Sequence, residues 1–390
     1  MTVTADQQSP AEIGIDPAPV PPAPPKEPRR RSPLWAKLSL SFGTVLLVAG
    51  GGGVVATKLV VKETTETIAV TNLTGDAKKT VEEGGGVELD GPIDMLLMGV
   101  DARARWAADS VHADTIIILH IPASHDQAYL ISVPRDTEVV TPEFAPSKWE
   151  GGKVKATEAF YWGAQNGAGW GGGAQLLATT LKKSTGISFD GAGIINFGGF
   201  KNVIDEIGGV EMCVDQQVTS KHMVYVEGKP MYLADARKTG KTRKPVVHKV
   251  GCRAMEGWEA LDYARQRYGL KNGDYDRQRH QQQLIKAMAK KATSSGVISN
   301  PLKVSSLIKT AGKSLVLDTG DIELADFVLG LTDVAAADMV LLRTNSGTFS
   351  GNSAGREVFN DVSKKMFEAV KQDKLDAFVM DHPEVVANEK

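Results

Sequence analysis

Hydrophobic and polar positions change character several times along the chain. The first 33 residues are rich in proline (Pro17, Pro19, Pro21, Pro22, Pro24, Pro25, Pro28, Pro33) and nearly free of aliphatic runs. Such a segment cannot bury enough surface to offset its chain entropy, so residues 1–33 are expected to be a disordered tail. Leu38 to Thr57 then runs for 20 residues without a charge, the length a helix needs to cross a hydrocarbon core of about 30 Å. We read 34–61 as one transmembrane helix, with a cleaved signal peptide as the rival reading. About 30 residues precede the apolar run, whereas a signal peptide starts with a short charged region. Arg29, Arg30, Arg31 and Lys37 lie on the N-terminal side, which places the N-terminus in the cytoplasm and all that follows Lys62 outside. The expected product is a single-pass protein of the cell membrane. Residues 62–91 are polar and read as an extracytoplasmic stalk, residues 92–378 as the folded domain and 379–390 as a frayed tail.

Within 92–378, short apolar runs alternate with stretches of helical period. The runs predict strands at Ile93–Met98, Thr115–His120, Ala128–Val133, Gly193–Phe197, Val210–Val214, Ser314–Leu317 and Met339–Leu342. Helices are predicted near Ala156–Gln165, Gly173–Thr185, Phe200–Ile207, Glu256–Ala264, Tyr275–Thr293, Leu302–Thr310, Ile322–Leu331 and Glu357–Lys371. This alternation predicts an α/β fold, a central sheet with helices on both faces.

Composition narrows the chemistry. The 390 residues have a net charge of -2, with 42% hydrophobic and 24% charged positions. That is ordinary globular composition, without the strongly basic footprint of a nucleic-acid binder. Two cysteines and seven histidines, with no HExxH and no Cys/His cluster, exclude the familiar zinc sites. What recurs is arginine beside carboxylate. Asp101 and Arg103 follow the first strand, Asp114 precedes the second, and Arg135-Asp136 follow the third, so these charges lie at a sheet rim, where α/β proteins place ligands. Each is also a plausible solvated turn.

Four of the 15 arginines fall between positions 265 and 279. Arg265 and Arg267 follow a helix expected to end near Ala264. In an extended segment two residues spaced i, i+2 point the same way, and two guanidinium forks suit one phosphate-like dianion. Gly273 then breaks the chain, Asp274 is the expected N-cap of the next helix, and Asp274, Arg277 and Gln281 share one arc of it. Arg279 lies off that arc. A solvated polar face is the plain alternative. Arginines with two carboxylates, and no Ser-His-Asp or Cys-His set, fit an anion bridged to carboxylates by a hard cation such as Mg²⁺.

In order, Met98-Gly99-Val100-Asp101-Ala102-Arg103, Ala113-Asp114-Thr115, Ser132-Val133-Pro134-Arg135-Asp136-Thr137, Tyr263-Ala264-Arg265-Gln266-Arg267-Tyr268 and Asn272-Gly273-Asp274 through Gln283 resemble the LytR–CpsA–Psr family over roughly residues 92–295. The resemblance implies an α/β/α sandwich with a central mixed sheet that also encloses a polyprenyl tail. It implies a phosphotransferase that moves a glycopolymer (teichoic acid, arabinogalactan or another wall polysaccharide) from a polyprenyl-pyrophosphate carrier to peptidoglycan, leaving a phosphodiester link. Asp101 and Asp114 then look like ligands of Mg²⁺ or Mn²⁺, and Arg135, Arg265, Arg267, Arg277 and Gln281 like pyrophosphate ligands, with Asp274 orienting them. Either metal-binding aspartate is also a candidate to take the acceptor's proton. The family usually has arginine where this chain has His112, and Arg103 or Arg105 are candidates to compensate.

Two other activities use the same residues: a polyprenyl-pyrophosphate phosphatase, and a non-catalytic lipid-carrier binding protein. Phe160, Tyr161, Trp162, Phe197 and Phe200 are candidates for the tail pocket as well as for plain core. The lysine-rich stretch Thr219–Lys249 reads as a flexible surface arm. Cys213 and Cys252 are expected to pair outside the membrane, as a similar pair does in related actinobacterial sequences; two buried thiols are the alternative.

Overall fold

The computed structural model describes residues 69–80, 91–101, 110–297, 300–320 and 338–387. The expected tail and membrane segment, Arg103, Arg105 and the helix expected at Ile322–Leu331 lie outside them. Among the described residues no helix is long and apolar enough to cross a membrane.

A seven-stranded mixed sheet forms the centre. Its strands are β1 (Ala69–Val70), β2 (Ile93–Val100), β3 (Ala113–Ile121), β4 (Gln127–Ser132), β7 (Gly191–Asn196), β13 (Leu315–Asp318) and β14 (Asp338–Arg343), ordered β1-β13-β7-β2-β3-β4-β14. β3 runs antiparallel to both β2 and β4, β7 runs parallel to β2, and β14 parallel to β4. The carboxyl ends of β2, β4, β7 and β14 and the amino end of β3 therefore share one rim. The remaining strands form small sheets: the hairpin β5 (Glu138–Thr141) and β6 (Gly152–Lys155), the ribbon β8 (Val210–Val214) and β12 (Gly251–Met255), and a three-stranded sheet of β9 (Val218–Val226), β10 (Lys229–Tyr232) and β11 (Arg243–His248).

Helices cover both faces. On one, Leu96, Met98, Ile116, Ile118 and Ile131 join a buried cluster with α1 (Ala156–Gly163), α2 (Gly169–Thr185) and α7 (Asp361–Lys371). On the other lie α3 (Phe197–Glu206), α4 (Gly257–Ala264) and α5 (Asp274–Ser294), with Ile285 of α5 against Ile117 and Leu130. The helix α6 (Pro301–Ala311) leads into β13, and α8 (Leu375–Asp381) follows α7. Glycines allow α1 and α2 to meet backbone to backbone. A Cβ on Gly173 would come within 2.7 Å of the Phe160 carbonyl oxygen. The first turn of α1 in turn receives the chain leaving β4, because Thr157 N–H donates to the Arg135 carbonyl at 3.0 Å and Ala156 N–H to that of Thr137 at 2.9 Å.

All seven expected strands are present, as are the seven expected helices that fall within the described residues. The helix expected from Glu357 starts instead at Asp361, capped by the Asn360 side chain. Three expectations need correcting. The folded body begins before Pro92: Leu73 and Ala77 are fully buried, and Leu73 and Thr74 N–H groups donate to Asp318 at 2.8 and 3.0 Å. The C-terminal segment is docked, since Val385 and Ala387 are buried and Ala387 N–H donates to the Leu341 carbonyl at 2.8 Å. Residues 219–249 are no loose arm but supply most of the three-stranded sheet, whose Val218, Ser220, Met223 and Val226 are buried beneath exposed lysines.

Cys213 and Cys252 are joined by a disulfide between directly paired positions of β8 and β12, 39 residues apart in sequence. In the chain-entropy account, closing such a loop stabilises by about 4 kcal/mol. Replacing both cysteines by serine should lower the unfolding free energy by up to about 4 kcal/mol in urea titration. Thiol labelling of both positions in denatured, unreduced protein would show that no bridge exists.

Candidate functional site

The rim carries the charges anticipated from the strand ends, and a β-bulge aims one of them. Gly99 pairs with Thr115, but the next residue, Val100, pairs with Ala113. Asp114 is left as the extra residue. Bulges re-aim side chains beside sites; here the extra residue lets Ala113 join the core while Asp114 joins a pocket of about 220 Å³.

That pocket is lined by Asp101, Asp114, Arg135, Arg265, Arg267, Arg277 and Gln281, all of which the sequence had proposed for the site. Arg135 is ion-paired with Asp114. Arg265 reaches Asp101 at 3.3 Å and lies over the Phe197 ring at 4.3 Å. Arg277 is ion-paired with Asp274 at 2.8 Å and donates to the Asp114 carbonyl at 3.0 Å. Asp274 is thus outside the pocket lining and holds an arginine that is in it. It is the first residue of α5, with Gly273 at the cap position, so the expected N-cap assignment is displaced by one.

The electrostatics favour an anion. Burial lowers the pKa of Arg277, which Asp274 and Asp114 partly offset while Arg135 and Arg267 lower it further. A guanidinium pushed down by its neighbours is relieved by added negative charge. The Nε atoms of Arg135 and Arg277 are buried with no hydrogen-bond partner, so donors remain after the carboxylates are served. Among the described residues no group of three or more His, Cys, Asp or Glu could hold a metal. Asp101 and Asp114 provide the carboxylate oxygens of the pocket lining, a donor set that fits a cation such as Mg²⁺ whose other ligands are phosphate and water.

Arg265 and Arg267 do share the pocket, though not through an extended backbone. Arg265 caps α4 in helical conformation (φ −98°, ψ −9°). The fully buried Gln266 between them is drawn the other way, donating to the Asp262 carbonyl at 2.7 Å and accepting from Lys221 N–H at 3.1 Å. Arg267 packs on Tyr268, whose hydroxyl accepts from it at 2.8 Å. His112 is not in the pocket lining; its ring stacks on Tyr161 at 4.8 Å, and burial lowers its pKa.

A second cavity, about 360 Å³ and almost wholly apolar, lies between the sheet and α3–α5. Leu97, Ile117 and Ile195 form its floor, and Phe200, Leu284 and Met288 its cover. Phe197, Arg265 and Gln281 line both spaces, so the apolar cavity opens onto the charged pocket. Of the aromatic candidates, Phe197 and Phe200 line the cavity. Phe160 belongs to the core on the opposite face, Tyr161 stacks on His112, and Trp162 stacks on Trp149 at 4.4 Å.

Sequence reasoning missed the network beneath the pocket. Arg279, off the pocket face of α5 as expected, is ion-paired with Asp215 and, at 3.1 Å, with Asp276. Tyr263 donates to Asp215 at 2.8 Å, and His280 lies 2.9 Å from both Asp215 and the Tyr263 hydroxyl. The network joins the β8–β9 turn, α4 and α5, and no local pattern announces it. Ser220, His248 and Asp262 also meet, but Ser220 donates to one Asp262 oxygen at 2.9 Å and His248 contacts the other at 2.8 Å. The serine is held by the acid and not by the imidazole, so this set braces β9 and β11 on α4.

A polar pocket rich in guanidinium and balanced by carboxylates thus opens from an almost wholly apolar cavity. The chain belongs to the LytR_cpsA_psr family, whose family model matches residues 56–375. It is 26% identical over 321 residues to the cell wall biosynthesis protein LcpA of Corynebacterium glutamicum, covering 76% of this chain and 56% of that protein. It is also 26% identical to the polyisoprenyl-teichoic acid–peptidoglycan teichoic acid transferase TagU of Enterococcus faecalis, over 54% of this chain and 56% of TagU. The chain thus spans little more than half the length of these relatives. The crystal structure of B. subtilis TagV superposes with a TM-score of 0.52 at 21% identity, covering 74% of this chain and 99% of TagV, a likeness of fold.

The buried network makes stability depend on acid pH in a defined direction. The hydrogen bonds from His280, Tyr263 and Arg279 overcome burial and hold Asp215 well below its ordinary 3.8. A depressed carboxylate contributes stability that is present above the unfolded pKa and lost as pH falls below it. Asp215→Asn should cost about 3–5 kcal/mol at neutral pH by leaving Arg279 partly unpaired. In urea titrations at several pH values, its difference from wild type should shrink below pH 3.8. A difference independent of pH would contradict the ion-pair account.

Proposed function

We propose that this protein transfers a glycopolymer from a polyprenyl-pyrophosphate carrier to a peptidoglycan hydroxyl. The observation that carries the reading is the shared wall: Phe197, Arg265 and Gln281 border both the arginine pocket and the apolar cavity, as a pyrophosphate with an apolar tail requires. The name of TagU, with its polyisoprenyl-linked donor and peptidoglycan acceptor, supports the same substrates here. The apolar run at 34–61 would anchor the chain in the membrane that holds the carrier.

Arg135, Arg265, Arg267 and Arg277 bind the pyrophosphate and neutralise charge as it shifts toward the leaving group, the main demand of phosphoryl transfer. Gln281 donates or accepts at the join between head and tail. The acceptor hydroxyl oxygen forms a bond to the sugar-proximal phosphorus, and the bond from that phosphorus to the bridging oxygen breaks. Polyprenyl phosphate leaves, and a phosphodiester remains. The acceptor's proton passes to a carboxylate of the pocket or to water. Asp101 and Asp114 would hold Mg²⁺ or Mn²⁺, which when bound supplies further charge neutralisation at the phosphates.

Two measurements test this. Excess chelator, or Asp114→Ala, should stop glycan transfer to uncross-linked peptidoglycan oligomers, while lipid-linked donor still binds through its tail at about 0.8 kcal/mol per buried CH₂. Mass spectrometry of the oligomers for a phosphodiester adduct reads the result, and full transfer in chelator would remove the metal from the reaction. Arg267→Lys should already lower transfer at least tenfold, because lysine keeps the charge but loses the bidentate fork. Release of polyprenyl phosphate without an adduct would favour the phosphatase. Tight donor binding with neither product would favour the binding protein.

A further inference from the structure

The three-stranded sheet β10-β9-β11 carries a charge that the rest of the chain does not share. Residues 219–249 hold eight lysines and arginines against two carboxylates, a net charge of +6, so the other residues together carry -8. Both carboxylates are already taken, because Glu227 pairs with Lys241 and Asp235 with Lys238, each at 2.8 Å. Lys221, Lys229, Arg237, Arg243, Lys244 and Lys249 are exposed and, among the described residues, have no acidic partner. One such cation on a surface is ordinary, but six uncompensated together set up a field. Apolar side chains stand exposed among them: Val247 on β11 and, in the turn to β12, Val250 at 65%. The sheet rests on α4, whose Leu261 lines both the apolar cavity and a cleft against β10. One helix therefore separates the basic sheet from that cavity.

We propose that this sheet is a docking surface for the anionic headgroups of a phospholipid bilayer, and that it rests the folded body on the membrane beside the apolar cavity. The inference depends on reading 34–61 as a membrane span, and not on the chemistry of transfer. Charge complementarity calls for a polyanion or an anionic surface. The exposed valines choose the surface. Apolar side chains that insert shallowly beside headgroup-bound cations strengthen an interfacial contact, whereas a soluble polyanion gains nothing from them. The length of chain outside the body agrees. Only residues 62–68 separate the span from Ala69 of β1, at most about 25 Å when fully extended. A surface tethered that closely meets the bilayer at high effective concentration, so each contact can be weak and the sum still hold.

The test reconstitutes the full chain in nanodiscs of phosphatidylcholine, or of an equal mixture with phosphatidylglycerol, and reads lysine exposure by brief acetylation and mass spectrometry. Lys183 on α2 and Lys365 on α7 lie across the central sheet and serve as controls. With phosphatidylglycerol present, Lys229, Lys244 and Lys249 should be acetylated at least threefold more slowly, the controls should not change, and high salt should abolish the difference. The double variant Lys244→Glu, Lys249→Glu should remove the protection of Lys229, with circular dichroism to verify folding. Lys249→Gln, expected to reduce that protection, serves if the double variant does not fold. Equal acetylation in the two lipids overturns the docking surface. So does protection by soluble polyglycerol phosphate but not by phosphatidylglycerol, which would assign the sheet to an anionic polymer. A chain that enters neither nanodisc overturns the span and this surface together, without touching the reading of the arginine pocket.

Discussion

The pairing of guanidinium with carboxylate around the pocket is what the rest of the site depends on. Four arginines converge on one space of about 220 Å³, and without ligand their mutual repulsion would splay them. Asp114 holds Arg135, Asp101 holds Arg265, and Asp274 holds Arg277. Each acid comes from a different place: the bulge in β3, the end of β2 and the first turn of α5. The charge pattern therefore ties the paired ends of β2 and β3 to the segment after β4, the end of α4 and the first turn of α5. Because the pairs are only partly buried, the carboxylates serve as counter-charge to the arginines while staying within reach of solvent.

A deeper layer keeps the paired groups in register. Asp215, Tyr263, His280 and Arg279 lock α5 to α4 and to the β8–β9 turn. Fully buried Gln282 ties α5 to the carbonyls of Leu130 and Leu342, at 2.7 and 2.8 Å. These side chains touch no part of the pocket. They decide instead the rotation of α5, and with it whether Arg277 and Gln281 face the charged space and Leu284 and Met288 the apolar one.

Much of this was legible in the chain, for physical reasons. Strands buried on both faces appear as unbroken apolar runs, so Met95–Met98 and Ile116–Leu119 declared themselves, and the charges following them had to lie at a rim. The arc of Asp274, Arg277 and Gln281 follows from helical period alone. Other features depend on contacts between distant residues. Phe160 and Phe197 look alike in sequence, yet one enters the core and the other a cavity, because α1 and α3 lie on opposite faces. The Asp215 network spans 65 residues from Asp215 to His280. The three-stranded sheet was the exception, a signal present but outweighed: Val218 and Ser220 alternate with Thr219 and Lys221 at strand period, and the lysine content masked it.

The bulge at Asp114 has a consequence for how this segment can change over time. From Val111 to Thr115 the chain is counted, not merely composed. Removing the bulged residue would restore regular pairing with β2, leave Ala113 opposite Val100 and deprive the pocket of a carboxylate. Substitutions at Val111 or His112 can be absorbed by neighbouring packing, but a change of length cannot, so this stretch should drift in identity among descendants while keeping its residue count.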